Sequence, residues 1–386
     1  MKIVFASDSF KGTLSSAQIA RLLDRAAREV FGAACETRSI VVADGGEGLL
    51  DALLSAREGE LASVDAHDPL MRPLRASWAR FADGSAVVES ARTSGLGLLK
   101  ESERNPLETT TYGTGETVAA ALASGARRIA VGLGGTCTND GGMGFACALG
   151  VRFYDADGRL LEGKGSNLEK VSRIDASQIL PAARAARFEG MSDVRNPLCG
   201  SEGATRVFGR QKGGTPDVLD RLERGMTNYR DAIRREFGVD PDAVSGAGAA
   251  GGLGAALSVF FGAELRSGVD VALDFAGFDA AVSDADLVVT GEGRADGQTR
   301  FGKTMAGVAE RSRRSGARVV ALCGSLGEGW ESVFELGIDS VATTVDAPMT
   351  LSEACARAEE LYYSGAIRLF RSIRAGLEIG ASRVRR

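Results

Sequence analysis

Ile129-Ala-Val-Gly-Leu-Gly-Gly-Thr-Cys-Thr-Asn-Asp-Gly-Gly-Met-Gly144 places a short apolar run ahead of a loop of glycines, small hydroxyls and one Asn-Asp pair. A helix-like segment, Met143 to Leu149, follows. Strand, glycine loop and helix N-terminus is the layout in which backbone N–H groups approach an anion closely. A structural core does not call for this composition in one turn. The stretch therefore reads as half of a phosphate-handling cleft, on an α/β scaffold in which strands feed loops and loops feed helices.

Composition agrees with a large soluble globular protein. A chain of 386 residues is long enough for two full-sized cores. Glycine is abundant, 51 residues or about 13% against a usual ~7%, and it clusters in loops without a fixed period. The net charge of −5 argues against nucleic acid as the main partner. An anionic substrate then needs local cations, helix N-termini or a metal. No apolar run reaches membrane-spanning length, and the N-terminus meets Asp8 too early for a signal peptide. The six cysteines (Cys35, Cys137, Cys147, Cys199, Cys323 and Cys355) form no CxxC pair and read as reduced thiols of a cytoplasmic protein. His67 is the single histidine and sits at a strand end before a turn, so Ser-His-Asp chemistry and histidine-rich metal sites are excluded. A general base must be a carboxylate or a depressed lysine.

Along the chain, residues 2–7 and 38–42 are apolar runs that end in loops carrying Asp8 and Lys11, and Asp44, each followed by an amphipathic helix. Ser15 or Ser16 is placed to cap the first. Two such units in a row predict a doubly wound parallel sheet. From about residue 60 the pattern changes to short strands at 61–67, 74–82 and 85–91, joined by Asp68-Pro69 and Asp83-Gly84. Apolar runs alternating with helices return at 287–290, 317–323 and 338–344. The predicted fold is a Rossmann-like doubly wound domain of residues 1–65 plus 283–386. A large α/β domain of residues 66–282 is inserted into it, and the active-site cleft is expected between the two.

Three further stretches carry chemistry. Asp193, Arg195 and Asn196 lie at a strand end before Pro197, a carboxylate, a guanidinium and an amide within four residues. Lys212, between Gln211 and two glycines, is a candidate phosphate contact. Glu292, Arg294 and Asp296 follow the run at 287–290, with Lys303 at the start of the next helix. Residues 297–304 fit the expression G-x-x-x-x-G-K-[ST], yet the preceding run ends six residues too early for a P-loop. Gly246, Gly248 and Gly251 fit G-x-G-x-x-G, but Pro241 and two aspartates make the preceding segment a poor strand.

Taken in order, these loops resemble the type I glycerate kinase family. The resemblance is carried by Asp8-Ser-Phe-Lys-Gly, Ala43-Asp-Gly-Gly-Glu-Gly, Tyr112-Gly-Thr-Gly-Glu and Gly134-Gly-Thr-Cys-Thr-Asn-Asp-Gly-Gly. It continues through Ser192-Asp-Val-Arg-Asn-Pro-Leu-Cys-Gly, Gln211-Lys-Gly, the glycine run from Gly246, and Thr290-Gly-Glu-Gly-Arg-Ala-Asp. Two departures are small: Thr136-Cys137 stands where the family usually has Ser-Ala, and a proline is missing near Met305. The family implies ATP-dependent phosphorylation of D-glycerate with Mg²⁺, bacterial members being associated with 2-phosphoglycerate.

Phosphoryl transfer asks mainly for positioning and charge stabilisation. Asp193 is the first candidate base and Asp296 the second, both also candidate Mg²⁺ ligands, with Lys11 a third catalytic candidate. Asp8, Asp44, Asn139, Asp140, Arg195 and Asn196 are candidate glycerate contacts. Gly134, Gly135, Lys212, Glu292, Arg294 and Lys303 are candidate ATP contacts. The competing readings are an NAD-dependent oxidoreductase of a small hydroxy acid built on Gly246–Gly251, and a small-anion binding module. Oligomeric state is not legible.

Overall fold

The computed structural model describes residues 1–384 apart from Lys11, Ala34, Val41, 43–48 and 300–303. It divides into two compact units, one of Met1–Asp44, Asp51–Arg57 and Val269–Arg386, the other of Gly45–Leu50 and Glu58–Gly268. The chain begins with β1 (Lys2–Phe5), α1 (Ser16–Phe31) and β2 (Glu36–Ser39). Ser15 caps α1 in a capping box with Gln18, and Ile19, Leu22, Leu23, Ala26, Ala27 and Val30 are its buried stripe at helical spacing. The second strand starts two residues earlier and is less apolar than the run at 38–42 suggests, because it is a sheet edge. Then comes α2 (Leu49–Ala56), whose Leu50 N–H donates to the buried Glu89 carboxylate at 2.9 Å.

The second unit contains β3 (Gly59–His67), β4 (Pro73–Phe81), β5 (Ser85–Glu89), α3 (Ala91–Ser94), α4 (Tyr112–Ala123), β6 (Arg128–Gly132) and α5 (Met143–Ala148). A two-stranded ribbon, β7 (Arg152–Tyr154) with β8 (Arg173–Asp175), precedes α6 (Pro181–Ala185) and β9 (Arg187–Met191). Next are α7 (Ala204–Phe208), α8 (Pro216–Phe237), α9 (Ala249–Phe261) and β10 (Glu264–Arg266). The main sheet has the order β10-β9-β6-β5-β4-β3, with the first four strands parallel and β4 and β3 antiparallel. Ile129, Val131, Phe145, Phe153, Phe188, Tyr229, Leu253 and Leu257 are among the residues of its core. Parallel pairing puts the carboxyl ends of β5, β6 and β9 on one edge, so the loops that follow them meet there.

The chain returns to the first unit through α10 (Gly268–Phe275), α11 (Phe278–Val282) and β11 (Leu287–Thr290). It continues with β12 (Arg294–Ala295), α12 (Thr304–Ser315), β13 (Arg318–Cys323), β14 (Ser325–Leu326), β15 (Ser340–Thr343), α13 (Leu351–Ala356) and α14 (Ala358–Val384). The all-parallel sheet is ordered β15-β13-β11-β1-β2. Ile3 and Phe5 face α1 and α14, whereas Val4 and Ala6 face α10 to α12. Helices therefore cover both faces, as a doubly wound sheet requires. The boundaries expected at 65/66 and 282/283 fall inside β3 and after α11. Strand β3 pairs along its whole length with β4 and stays with the second unit. Phe278, Ala281 and Val282 of α11 share a core with Met305 and Val308 of α12 and stay with the first. No described helix is long and apolar enough to cross a membrane.

Candidate active site

Strand β6 leads into a loop in which only Gly134 and Gly135 reach solvent; Thr136 to Gly142 are buried. Asp140 organises it. Its Oδ2 accepts from the Thr111 N–H at 2.8 Å, the Thr111 hydroxyl at 2.8 Å and the Gly144 N–H at 3.1 Å, and its Oδ1 accepts from the Gly142 N–H at 3.0 Å. Thr111 precedes α4 and Gly144 lies in the first turn of α5, so one carboxylate terminates two helices. Burial pushes Asp140 above the usual carboxylate range, and the donors from Thr111, Gly144 and Gly142 pull it back. Both its oxygens serve the scaffold, whereas the sequence suggested a substrate contact.

The glycines have a second physical reason. Gly141 and Gly142 lie at φ of 65° and 69°, and the Gly141 N–H donates to the Gly251 carbonyl at 3.0 Å. A Cβ on Gly251 would stand 2.1 Å from the Thr138 carbonyl oxygen. Loops 138–142 and 246–252 thus meet backbone against backbone. The N–H groups of Cys137, Gly141, Gly142, Met143 and Gly144 all donate within the fold. The G-x-G-x-x-G stretch follows a 3-10 turn, Pro241–Ala243, and its Ala250, Gly251 and Gly252 are left-handed. No strand precedes it, so a dinucleotide fingerprint is absent. Gly251→Ala is expected to destabilise the second unit by about 2–4 kcal/mol, from left-handed strain plus a backbone clash. Urea unfolding checks this, and a loss below about 0.5 kcal/mol would contradict the close approach.

Lys212 enters the same loop. It ends the 3-10 turn Arg210–Lys212, which is closed by Gly213 at φ 93°. Its Nζ donates to the Thr138 carbonyl at 2.7 Å and to the Thr136 hydroxyl at 3.4 Å, and the residue is 3% exposed. Among the described residues no carboxylate lies within ion-pair distance of it. Burial pushes the ammonium down to about 8, opposed by Cys137 and Asp140. Below about 8 both folded and unfolded chains hold the proton; between 8 and 10.5 only the unfolded chain does. Stability therefore rises with pH across that window. Lys212→Met is expected to flatten this rise in thermal unfolding of the ligand-free protein, and an unchanged slope would contradict it. Burial pushes the Cys137 and Cys199 thiols up to about 12, which suits buried fillers and opposes nucleophilic roles.

Asn139 is fully buried and donates through Nδ2 to the Thr205 hydroxyl at 2.9 Å. Beyond β9, Asp193 and Arg195 are exposed at the same sheet edge. Asp193 Oδ1 accepts from the Ser267 hydroxyl at 2.9 Å and the Gly268 N–H at 3.2 Å. Asn196 donates through Nδ2 to the Glu202 carbonyl at 2.7 Å, and its own carbonyl accepts from Gly248 N–H at 3.0 Å. Asn196 is thus tied into the turn, while Asp193 and Arg195 face outward. The Leu133 N–H donates to the Met191 carbonyl at 3.0 Å, joining this segment to the glycine loop. His67 Nδ1 pairs with Glu116 at 2.9 Å at the end of β3, as a turn residue would.

In the first unit, chain order reverses between β1 and β11, the position at which open parallel sheets bind ligands. Asp8 follows β1: its N–H donates to the Gly291 carbonyl at 3.0 Å, and its carboxylate accepts from Ser9 N–H at 2.7 Å and the Thr304 hydroxyl at 3.3 Å. Glu292 is buried and accepts from the Thr299 hydroxyl at 2.5 Å. Asp296 accepts from Gln298 N–H at 2.9 Å and stands 3.7 Å from the Arg294 guanidinium. Because β12, paired with β14, separates β11 from residues 297–304, the P-loop expression lacks its strand context. Lys11, Asp44 and Lys303 lie outside the described residues. Among the described residues no group of three or more His, Cys, Asp or Glu side chains is arranged to hold a metal. Arg104 and Thr205 escaped the sequence reading; an isolated arginine or threonine carries no signal of the loop it will meet.

The sequence model of the glycerate kinase family matches residues 3–374. A glycerate kinase of Bacillus subtilis is 42% identical over 361 residues, 93% of this chain and 94% of its own length. A glycerate 2-kinase of Escherichia coli is 40% identical over 381 residues, 98% of this chain and 99% of its own. The solved structure of a chain from Salmonella typhimurium, titled as glycerate kinase 2, superposes with a TM-score of 0.88 at 39% identity, covering 98% of this chain and 99% of that one.

Proposed function

The chain belongs to the glycerate kinase family, and from that premise we propose that it transfers the γ-phosphoryl group of ATP to the 2-hydroxyl of D-glycerate, giving 2-phosphoglycerate and ADP. What carries the reading is that the match runs through both units at about 40% identity rather than through one shared domain. The name of the Escherichia coli relative favours the 2-hydroxyl. The missing strand ahead of Gly246 disfavours the oxidoreductase alternative.

In this reading Asp193 accepts the hydroxyl proton as the oxygen attacks phosphorus and the bond to ADP breaks, with Asp296 the second candidate. Arg195 and the loop of Asn139 take glycerate. Gly134, Gly135, Glu292 and Arg294 serve ATP together with Lys11 and Lys303, and Asp8 and Asp44 orient hydroxyls. Mg²⁺ enters as MgATP, since this cation keeps much of its water and needs only one or two protein carboxylates beside the phosphates. Its role there is to neutralise phosphate charge. The enzyme is assigned to the cytoplasm.

ADP release with ATP and D-glycerate is the direct test, and no release above an acceptor-free control would overturn the kinase reading. The product is assigned by proton-coupled phosphorus NMR. A phosphate on C2 is split by one proton into a doublet, and on C3 by two into a triplet. We expect the doublet; a triplet would move the transfer to the 3-hydroxyl.

A further inference from the structure

Lys212 is not the only cation at the glycine loop without a counter-ion among the described residues. Arg104 is half-buried, and among the described residues its Nε has no hydrogen-bond partner and its guanidinium no ion pair. Its Nη2 lies 3.5 Å from the Leu96 carbonyl, and the Leu96 N–H donates to the Gly135 carbonyl at 2.9 Å, beside the solvent-facing end of the loop. A Cβ on Gly213, the residue after Lys212, would stand 2.2 Å from the Arg104 carbonyl oxygen. The charges of both cations are felt at the Cys137 thiol. Two neighbouring polar atoms, Thr138 Oγ1 and Asn139 Oδ1, are also buried without a partner among the described residues.

A buried charge is costly without a partner, and unsatisfied buried polar atoms are uncommon. Two cations and two orphaned polar atoms around one loop describe a receptor for an anion that also carries a hydroxyl. The charge of that anion can be narrowed. Desolvation cost grows steeply with charge, so a site built on one buried ammonium and one half-buried guanidinium suits a singly charged group better than a triphosphate. A guanidinium fork also matches a planar carboxylate. At the helix α5 end of the loop, the N–H groups of residues 141–144 are taken inside the fold and are not offered to phosphate oxygens.

We infer that Lys212 and Arg104 together bind the carboxylate of the acceptor hydroxy acid, with Thr138 donating to it and Asn139 Oδ1 accepting from an adjacent hydroxyl. The identity of the acid rests on the kinase reading above; the carboxylate site itself does not. This pair then selects hydroxy acids over polyols.

The test uses the full chain, with Lys212→Met and Arg104→Gln made separately. Losing one charged hydrogen bond to substrate should raise KM for D-glycerate about 10–100-fold. KM for ATP should stay within about twofold of the wild type, which also shows that the variant folds. A raised KM for ATP with KM for D-glycerate unchanged would assign the cations to phosphate and overturn the proposal. So would two variants with both constants unchanged. On the wild type itself, glycerol, which has the hydroxyls without the carboxylate, should be a poorer acceptor by a factor of about 100 or more in kcat/KM, and equal use of the two would overturn it without any mutant. Should the wild type release no ADP with D-glycerate, the kinase reading fails by itself. Calorimetry with D-glycerate alone then decides the site: binding that weakens in both variants upholds it, and no binding to the wild type overturns it.

Discussion

Asp193→Asn is expected to lower kcat by about 10²–10⁴ while KM for ATP changes little, because a positioned general base contributes that much and the amide cannot accept the hydroxyl proton. The residue fits the task. It is exposed at the carboxyl end of β9, and its Oδ1 is held by the Ser267 hydroxyl and the Gly268 N–H at 2.9 and 3.2 Å. These bonds aim the carboxylate. The chain's single histidine is paired with Glu116. Single-turnover measurement separates the chemical step from product release. If Asp193→Asn keeps near wild-type turnover and Asp296→Asn loses it, the base belongs to the first unit. A loss confined to KM for D-glycerate would make Asp193 a binding group. Ser267→Ala should act more weakly, since the Gly268 N–H still orients the carboxylate.

Asp140→Ala is expected to destabilise the second unit by about 3–5 kcal/mol. Four donors, Thr111 N–H and Oγ1, Gly142 N–H and Gly144 N–H, converge on this carboxylate in a fully buried site. Each orphaned buried donor costs about 1–3 kcal/mol on its own, and local relaxation with an admitted water brings the total below the simple sum. The alanine also leaves two helix N-termini without their shared acceptor. Urea unfolding followed by tryptophan emission, with Trp78 buried in this unit's core, reads the change. Asp140→Asn should cost less, since one acceptor oxygen survives, but its amide group faces donors. A loss under about 1 kcal/mol for the alanine variant would mean that the carboxylate is free for substrate after all.

The elements show how far the sequence reaches. Strand β11 and helix α8 occupy the residues that periodicity assigns them, 287–290 and 216–237, because each is bounded by its own breakers and buries a regular face. Strand β2 is displaced toward residue 36 because edge position, set by the partner β1, outweighs local apolarity. The run at 350–371 becomes two helices that meet at Arg357, where no proline or glycine gives warning. In the site, Lys212 was legible as a candidate phosphate contact from its glycine neighbours and the family's pattern, but its place beside the glycine loop was not. Arg104 was not: it lies 108 positions earlier, and nothing local distinguishes it from a solvated arginine.

The sequence alone determined the class of the molecule and its chemistry. Glycine-punctuated strand–helix units demand a parallel sheet, one histidine narrows the candidate bases to carboxylates and lysines, and eight motifs in order identify the family. The tertiary structure decided what each polar residue of residues 129–144 does. Asn139 and Asp140 are adjacent and chemically similar in the sequence. Yet Asp140 gives both oxygens to helix ends, while Asn139 keeps an oxygen that has no partner among the described residues, in the loop that Lys212 enters. Composition can place polar groups in a loop, but which of them are already satisfied depends on donors from residues 111 and 212 and an acceptor from residue 205, and only packing sets those distances.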